Sequence, residues 1–188
     1  MPHLSQAAVT RPYRPADRDA VAGVCVRTAH EGGDSRAIHP DQRLMPSLFA
    51  EPYCRFDPDL AFVPDDGTGR AVECIVGTAD TERFVEDFRR DWIPRPADRC
   101  PEPAGPPRTP TEEMIRLLHH PERMLVPELA GYPAHPHTDL LPARQARGQQ
   151  GLRPGRGSAW RVRTRAASPR APGCPCHRGA ARPGRRAC

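Results

Sequence analysis

The sequence predicts a mixed α/β chain of the α+β type with one mixed sheet, its elements in the order β-α-α-β-β-α-α-β. Short apolar runs bounded by Gly, Pro and Asp indicate the strands, and apolar residues spaced three or four apart indicate the helices. The length of 188 residues suggests one domain. The pattern ends at Gly148, because Arg, Pro, Gly and Ala fill most of the positions after it.

The first third of the chain predicts an edge strand and two helices. Residues 9–14 form the strand, and Pro12 puts it at a sheet edge because proline cannot donate to a strand ladder. A helix follows from Pro15, and its apolar stripe ends before two adjacent glycines. A second, shorter helix is predicted over residues 41–49, and Pro52 is predicted to stop it.

The middle of the chain predicts a β-hairpin followed by a helix. Residues 60–63 and 71–79 form the strands, and the Asp- and Gly-rich residues 65–69 form the turn. Asp80 or Thr81 is predicted to cap the next helix. The core-facing residues of this helix are Phe84, Val85, Phe88 and Trp92.

A Pro-rich linker leads to the last predicted helix and strand. Thr109 and Glu112 form the T-x-x-E pattern of a capping box, with Pro110 at the first helical position. Residues 135–141 (HPHTDLL) form the last predicted strand.

Charge divides the chain near residue 142. Residues 1–142 carry 16 Arg and all 23 acidic residues, a net charge of −7, whereas residues 143–188 carry 12 Arg and no acid. No leader segment and no span of roughly 20 apolar residues is visible, so we expect a cytoplasmic protein without membrane contact. Cysteines such as Cys25 and Cys54 are scattered singly, as reduced cytosolic thiols usually are.

The last predicted strand and the turn after it have the composition of an anion-binding site. A Gln- and Arg-rich turn containing Gly148 follows Pro142 directly. Backbone N–H groups that open a helix bind anions, and Arg144 and Arg147 would add charged hydrogen bonds to phosphate. By itself this local pattern is a weak indication of a phosphate site, because Arg and Gly are common beside strand ends.

These elements and several short segments resemble the GNAT superfamily of N-acetyltransferases. The segments are RPYRPADRDAV near the N-terminus, GTADT at 77–81, IRLLHHP at 115–121 and YPAHPHTDLLPARQARG at 132–148. More narrowly, they resemble actinobacterial members related to the acetyltransferase-like domain of O-GlcNAc hydrolases. The resemblance implies a sheet that splays open between its fourth and fifth strands, with acetyl-CoA in the cleft and its pyrophosphate on a Q/R-x-x-G-x-G/A loop.

The resemblance assigns acetyl-CoA contacts to the end of the last strand and to this loop. The residues expected to bind the pyrophosphate are Gln145, Ala146, Arg147 and Gly148. Leu140 and Leu141 lie on the strand whose backbone pairs with the pantetheine arm in the family. The match breaks at Gln150, where the motif has Gly or Ala, and no fifth strand follows. We therefore expect a GNAT-like acyl-CoA N-acyltransferase fold that is incomplete after its fourth main strand.

The resemblance also implies a base that removes a proton from an acceptor amine. Asp139 is the carboxylate predicted to face the cleft, and Asp34 is predicted near the acceptor side. The alternative is structural: Asp34 caps its loop and Asp139 pairs with an arginine. His135 and His137 share a strand face, which is compatible with metal binding, but no matching Cys or carboxylate spacing accompanies them, so no metal site is predicted.

We divide the chain into a disordered N-terminus (1–8), a truncated acetyltransferase domain (9–148) and a disordered Arg-rich tail (149–188). Out-of-frame translation of a GC-rich gene would produce such a tail. The predicted partners are acetyl-CoA and a primary amine, and we expect weak or no activity of this chain. The alternative function is that of a non-catalytic remnant whose tail binds nucleic acid or other polyanions.

Overall fold

The computed structural model describes residues 9–65, 67–69 and 71–141, which form a four-stranded sheet covered by helices. The strands are β1 (Val9–Pro12), β2 (Phe62–Asp65), β3 (Glu73–Thr78) and β4 (His135–Leu140). Their spatial order is β1-β2-β3-β4, and every neighbouring pair is antiparallel. The α+β prediction is confirmed at this level. Within the described residues no parallel strand pair makes the sheet mixed.

The helical elements connect these strands and cover the sheet. They are α1 (Arg18–Thr28), α2 (Leu44–Phe49), α3 (Glu51–Phe56), α4 (Thr81–Asp87) and α5 (Pro110–His119). A π-type segment, Phe88–Trp92, continues α4. Short 3-10 segments lie at Pro15–Asp17, Pro58–Leu60, Pro121–Met124 and Pro127–Leu129. None of the helices in the described ranges is long and apolar enough to cross a membrane.

The role of Pro52 and one bond of the capping box differ from the sequence prediction. Pro52 does not end the helical region but lies in the first turn of α3, where a missing N–H leaves no hydrogen bond unmade. The Thr109 hydroxyl accepts from Glu112 N at 3.1 Å, as a cap should. The Glu112 carboxylate accepts from Arg108 N at 2.6 Å, so the capping box reaches one residue further back than predicted.

The strand register puts two polar side chains of β4, His137 and Asp139, on the same face as the core. Every residue of β3 is buried, and Cys74 and Val76 belong to the main hydrophobic cluster. Asp139 is paired with Cys74, and His137 with Val76. Because paired residues of antiparallel strands share a face, His137 and Asp139 point toward the same helices as the core of β3.

Gly77 of β3 allows the first residues of β4 to approach closely. A Cβ atom at Gly77 would lie 2.9 Å from the carbonyl oxygen of His135 and 3.3 Å from Cα of Pro136. Both atoms belong to the backbone, so neither can rotate away. The absence of a side chain at this position thus fixes where the β4 histidines lie.

Candidate functional site

A cavity of about 810 Å³ lies against the first half of β4. Phe49 and Tyr53 contribute to its wall from α2 and α3, Thr81 from the start of α4, and His135 and His137 from β4. Residues 123–134 close the remaining side. Three helices, one strand and one loop therefore meet around a space of the size that small ligands occupy.

A hydrogen-bonded chain of side chains crosses this cavity wall. The Tyr53 hydroxyl lies 2.8 Å from Nε2 of His135, and Nδ1 of His135 lies 2.7 Å from the Thr81 hydroxyl. The Thr81 hydroxyl in turn lies 2.6 Å from the carbonyl oxygen of Pro133. We call Tyr53, His135 and Thr81 the imidazole chain.

The imidazole chain defines which ring nitrogen of His135 carries the proton. The Thr81 hydroxyl has one hydrogen, and at 2.6 Å only a donated hydrogen bond can hold it beside the Pro133 carbonyl oxygen. Thr81 must then accept from Nδ1–H of His135. In a neutral imidazole the other nitrogen, Nε2, is an acceptor, so the Tyr53 hydroxyl donates to it.

The environment keeps both the imidazole and the phenol uncharged. Burial lowers the pKa of His135, and the nearby His137 and Arg123 lower it further. Burial raises the pKa of Tyr53 to about 12. Both ring nitrogens of His135 are occupied, so this residue orders the wall and is not free to exchange a proton with a ligand.

His137 presents the accessible imidazole of the cavity. Its ring stacks on Phe49 with centroids 5.5 Å apart and an angle of 17° between the rings. The side chain is 35% exposed, and its Nε2 lies 3.4 Å from Oδ1 of Asp139. An imidazole held by stacking, with a carboxylate on one nitrogen, has the arrangement of an oriented proton acceptor.

Asp139 lies behind His137 and does not face the cavity directly. Its other oxygen, Oδ2, accepts from the Cys74 thiol at 3.6 Å. Burial, followed by the charge of Asp139, raises the pKa of both the Cys74 and the Cys25 thiol, so they remain protonated. Among the described residues Asp139 has no arginine partner, and the structural alternative of an Asp139–Arg pair finds no support in that part of the chain.

Asp34 lies apart from the cavity in the loop after α1. Both carboxylate oxygens accept hydrogen bonds from the Arg36 guanidinium at 2.5 to 3.0 Å, and one also accepts from Arg36 N. These bonds lower the pKa of Asp34 to about 2. The side chain is exposed, and the structure gives it the loop-capping role of the structural alternative.

The predicted acetyl-CoA contacts are only partly within the described residues. Leu140 is half-buried at the end of β4 opposite Glu73, and Leu141 packs against the hydrophobic core. The loop residues Gln145, Ala146, Arg147 and Gly148 lie outside the described residues. Within the described ranges no group of three or more His, Cys, Asp and Glu side chains could hold a metal ion.

Sequence reasoning missed Tyr53, Thr81 and Phe49 and assigned only a metal alternative to His137. The His-x-His spacing predicts that His135 and His137 share one strand face, and the structure confirms that placement. The partners could not be inferred in the same way. Tyr53 and His135 are separated by 82 positions in the sequence, and no periodicity relates them.

No family model matches the chain. A solved structure described as the crystal structure of SsHAT matches it with 58% sequence identity and a TM-score of 0.72, covering 76% of this chain and 70% of SsHAT. The chain therefore belongs to the family of SsHAT, and its general class is that of the acetyltransferases.

Proposed function

We propose that this protein transfers an acetyl group from acetyl-CoA to a primary amine that binds in the cavity beside β4. One observation carries the proposal: an SsHAT-related chain presents the imidazole of His137, with Asp139 behind it, to a cavity at the last strand of its described sheet. The base suggested by this arrangement is His137, and Asp139 is its orienting partner.

The reaction follows from these positions and balances in atoms and charge. An unprotonated amine attacks the thioester carbonyl while His137 accepts the proton that the nitrogen loses. The new C–N bond forms, the C–S bond breaks, and the proton passes to the departing CoA thiolate. Backbone N–H groups at the β4 edge are suited to the oxyanion that forms in between.

The acetyl-CoA site of the proposal extends from Leu140 and Leu141 into residues 145–148. Gln145, Ala146, Arg147 and Gly148 would hold the pyrophosphate by their N–H groups and the Arg147 charge. The sequence after Gly148 departs from the pattern of related enzymes. We therefore propose slow turnover rather than the rate of an intact enzyme.

The first test measures acetyl-CoA binding and then turnover. A ligand bound only to the folded state raises the melting temperature, so we expect acetyl-CoA at millimolar concentration to raise it. Product should be followed by chromatography, since a free cysteine such as the half-buried Cys54 would itself react with the thiol reagents that detect CoA. If acetyl-CoA does not raise the melting temperature and no acetylated amine forms, the proposal is contradicted.

A pair of histidine variants then assigns the base. His137→Gln should lower kcat by about 10²–10⁴-fold, the usual contribution of a general base. The acetyl-CoA-induced rise in melting temperature should stay as it is in the parent protein. His120→Gln is the matched control, because His120 is an exposed residue paired with Glu102. Equal kcat in both variants would exclude His137 as the base.

A second candidate function rests on the charge of residues 143–188. These residues carry 12 Arg and no acid, a composition that binds polyanions by counterion release. A peptide of this segment should then bind RNA or DNA with an affinity that falls steeply as salt is added. Absence of binding at low salt would remove this candidate.

A further inference from the structure

The large apolar side chains that the fold leaves exposed are concentrated at the entrance of the cavity. Five such residues are exposed among the described residues, and four of them lie within residues 125–132. These four, which we call the apolar lip, are Leu125, Val126, Leu129 and Tyr132. They are between 40% and 75% exposed, and all four line the cavity. Contiguous exposed apolar surface of this kind marks a binding site.

The apolar lip is held in place by tight backbone turns. Leu129 N donates to Val126 O at 2.9 Å, and Tyr132 N donates to Leu129 O at 2.7 Å. The segment is then fastened to α4, because Thr81 N donates to Pro133 O at 2.8 Å. Since these bonds fix the backbone, the lip presents its side chains to the cavity as a preformed surface.

Two carboxylates accompany the lip around the cavity. Asp80 and Glu82 are exposed, line the cavity and take part in no ion pair within the described residues. Arg123 lies on the same wall near Tyr53. Carboxylates beside an apolar surface suit a ligand that has an ammonium group and an apolar body.

The size of the cavity favours a small molecule over a protein side chain. A volume of about 810 Å³ lies in the range of small-molecule sites, roughly 300–1,000 Å³. A lysine side chain is one narrow methylene chain and would cover little of the lip. An aromatic or branched alkyl body offers the lip a broader apolar face.

We infer that the acceptor is a small primary amine with an aromatic or branched apolar body, which rests on the apolar lip while its nitrogen points toward His137. This inference rests on the proposed acetyl transfer. It adds the chemical class of the acceptor: the apolar body is held by the lip, and the ammonium group is attracted by Asp80 and Glu82 before it loses its proton.

The test compares one apolar and one polar amine on a lip variant and a matched control. The probes are 2-phenylethylamine and ethanolamine, and the variant is the double substitution Leu129→Ser and Tyr132→Ser. Val9→Ser is the control, because Val9 is the fifth exposed apolar side chain and lies in β1 at the other end of the sheet. All three positions are more than half exposed, so the fold should tolerate the changes.

Binding is measured by titration calorimetry or NMR, independently of turnover. We expect the double variant to bind 2-phenylethylamine about tenfold more weakly, as expected when part of two apolar contacts is lost. Binding to Val9→Ser should equal that of the parent protein, and ethanolamine should bind more weakly than 2-phenylethylamine.

Several results separate this inference from the proposed function. Equal affinity of the parent protein for both amines would overturn the inference. So would an equal loss of affinity for 2-phenylethylamine in the lip variant and in Val9→Ser. Preference for a lysine-containing peptide that the double variant does not alter would also overturn it. Lip-dependent binding of 2-phenylethylamine without acetylated product would support the ligand class and contradict the proposed acetyl transfer.

Discussion

The two ends of the described sheet bury carboxylates in different ways. At the β1 end, Arg11 donates to Asp17 at 2.7 and 2.8 Å and to Asp65 at 2.9 Å. At the β4 end, Asp139 has the weak donor Cys74 at 3.6 Å and the imidazole of His137 at 3.4 Å. The first carboxylates meet a full cation, and the second meets none in the described part of the chain.

The Arg11 cluster is a closed structural ion pair network, whereas the Asp139–His137 pair borders a cavity. Arg11 also donates to the carbonyl oxygens of Pro12 and Gly69, so all five of its N–H groups are used. Such a cluster has no capacity left for a ligand. Among the described residues, the carboxylate of Asp139 instead contacts an imidazole that lines a cavity, so this end of the sheet is open to a ligand where the Arg11 cluster is closed.

The largest expected effect comes from opening the β1 cluster. Arg11→Met leaves Asp17 and Asp65 buried without their cation, which should lower the free energy of unfolding by about 3–5 kcal/mol. Arg18→Met is the matched control. The Arg18 side chain is 65% exposed in its pair with Glu51, so less than about 1 kcal/mol is expected. Urea unfolding measures the free energy of unfolding of both variants. A similar decrease in the two would refute the structural role of Arg11.

Acidification should narrow the difference between the parent protein and Arg11→Met. The hydrogen bonds from Arg11 hold the pKa of Asp17 below its usual value. A carboxyl whose pKa is lowered in the folded state contributes stability above its ordinary pKa and loses that contribution as the pH falls through the lowered value. The gap between the two proteins should therefore shrink below about pH 4.

A smaller effect is expected where β3 and β4 touch. Gly77→Ala places a methyl group against backbone atoms of His135 and Pro136, and relief requires β4 to move. We expect a loss of about 1–3 kcal/mol, the usual cost of overpacking, together with weaker acetyl-CoA binding. Gly105→Ala is the control, because a Cβ atom there has no neighbour within 4 Å. Equal stability of the two variants would show that β4 adapts without cost.

The sequence predicts the elements well because local chemistry specifies them. Of the two predicted caps of α4, Asp80 and Thr81, it is Asp80 that accepts from Arg83 N, at 3.1 Å. The first, third and fourth strands form within their predicted ranges, whereas β2 (Phe62–Asp65) lies two residues beyond the predicted 60–63. Pro52 was misassigned because a proline ends a helix when it lies in the helix interior but is tolerated in a first turn. Pro52 lies in the first turn of a new helix, α3, and the sequence alone does not distinguish these two positions.

The site was less predictable because its contacts are non-local. Asp34 was assigned a catalytic role from the family layout, whereas a neighbour two positions away, Arg36, already occupies its carboxylate. Asp139 was predicted to face the cleft; it shares a strand face with His137, and its carboxylate contacts the Cys74 thiol and the His137 imidazole. The partners of His135 come from α3 and α4, and no spacing in the sequence relates these elements to β4.

The smallest and most discriminating effect is expected from Tyr53→Phe. This variant removes the hydrogen bond from the Tyr53 hydroxyl to Nε2 of His135, which should lower the free energy of unfolding by about 1 kcal/mol. Tyr132→Phe is the matched control, because its side chain is 75% exposed and lies outside the imidazole chain.

The same variant should move the pKa of His135 in a direction that identifies the tautomer. A hydroxyl that donates to Nε2 stabilises the neutral ring, so its removal should raise the pKa of His135, as measured by NMR titration. Because the pKa of His135 is lowered in the folded state, the parent protein loses stability as the pH falls below about 6.5. That loss should be smaller in Tyr53→Phe. A fall in the pKa would instead mean that Nε2 carries the proton and donates to Tyr53, and the order of donors in the imidazole chain would be reversed.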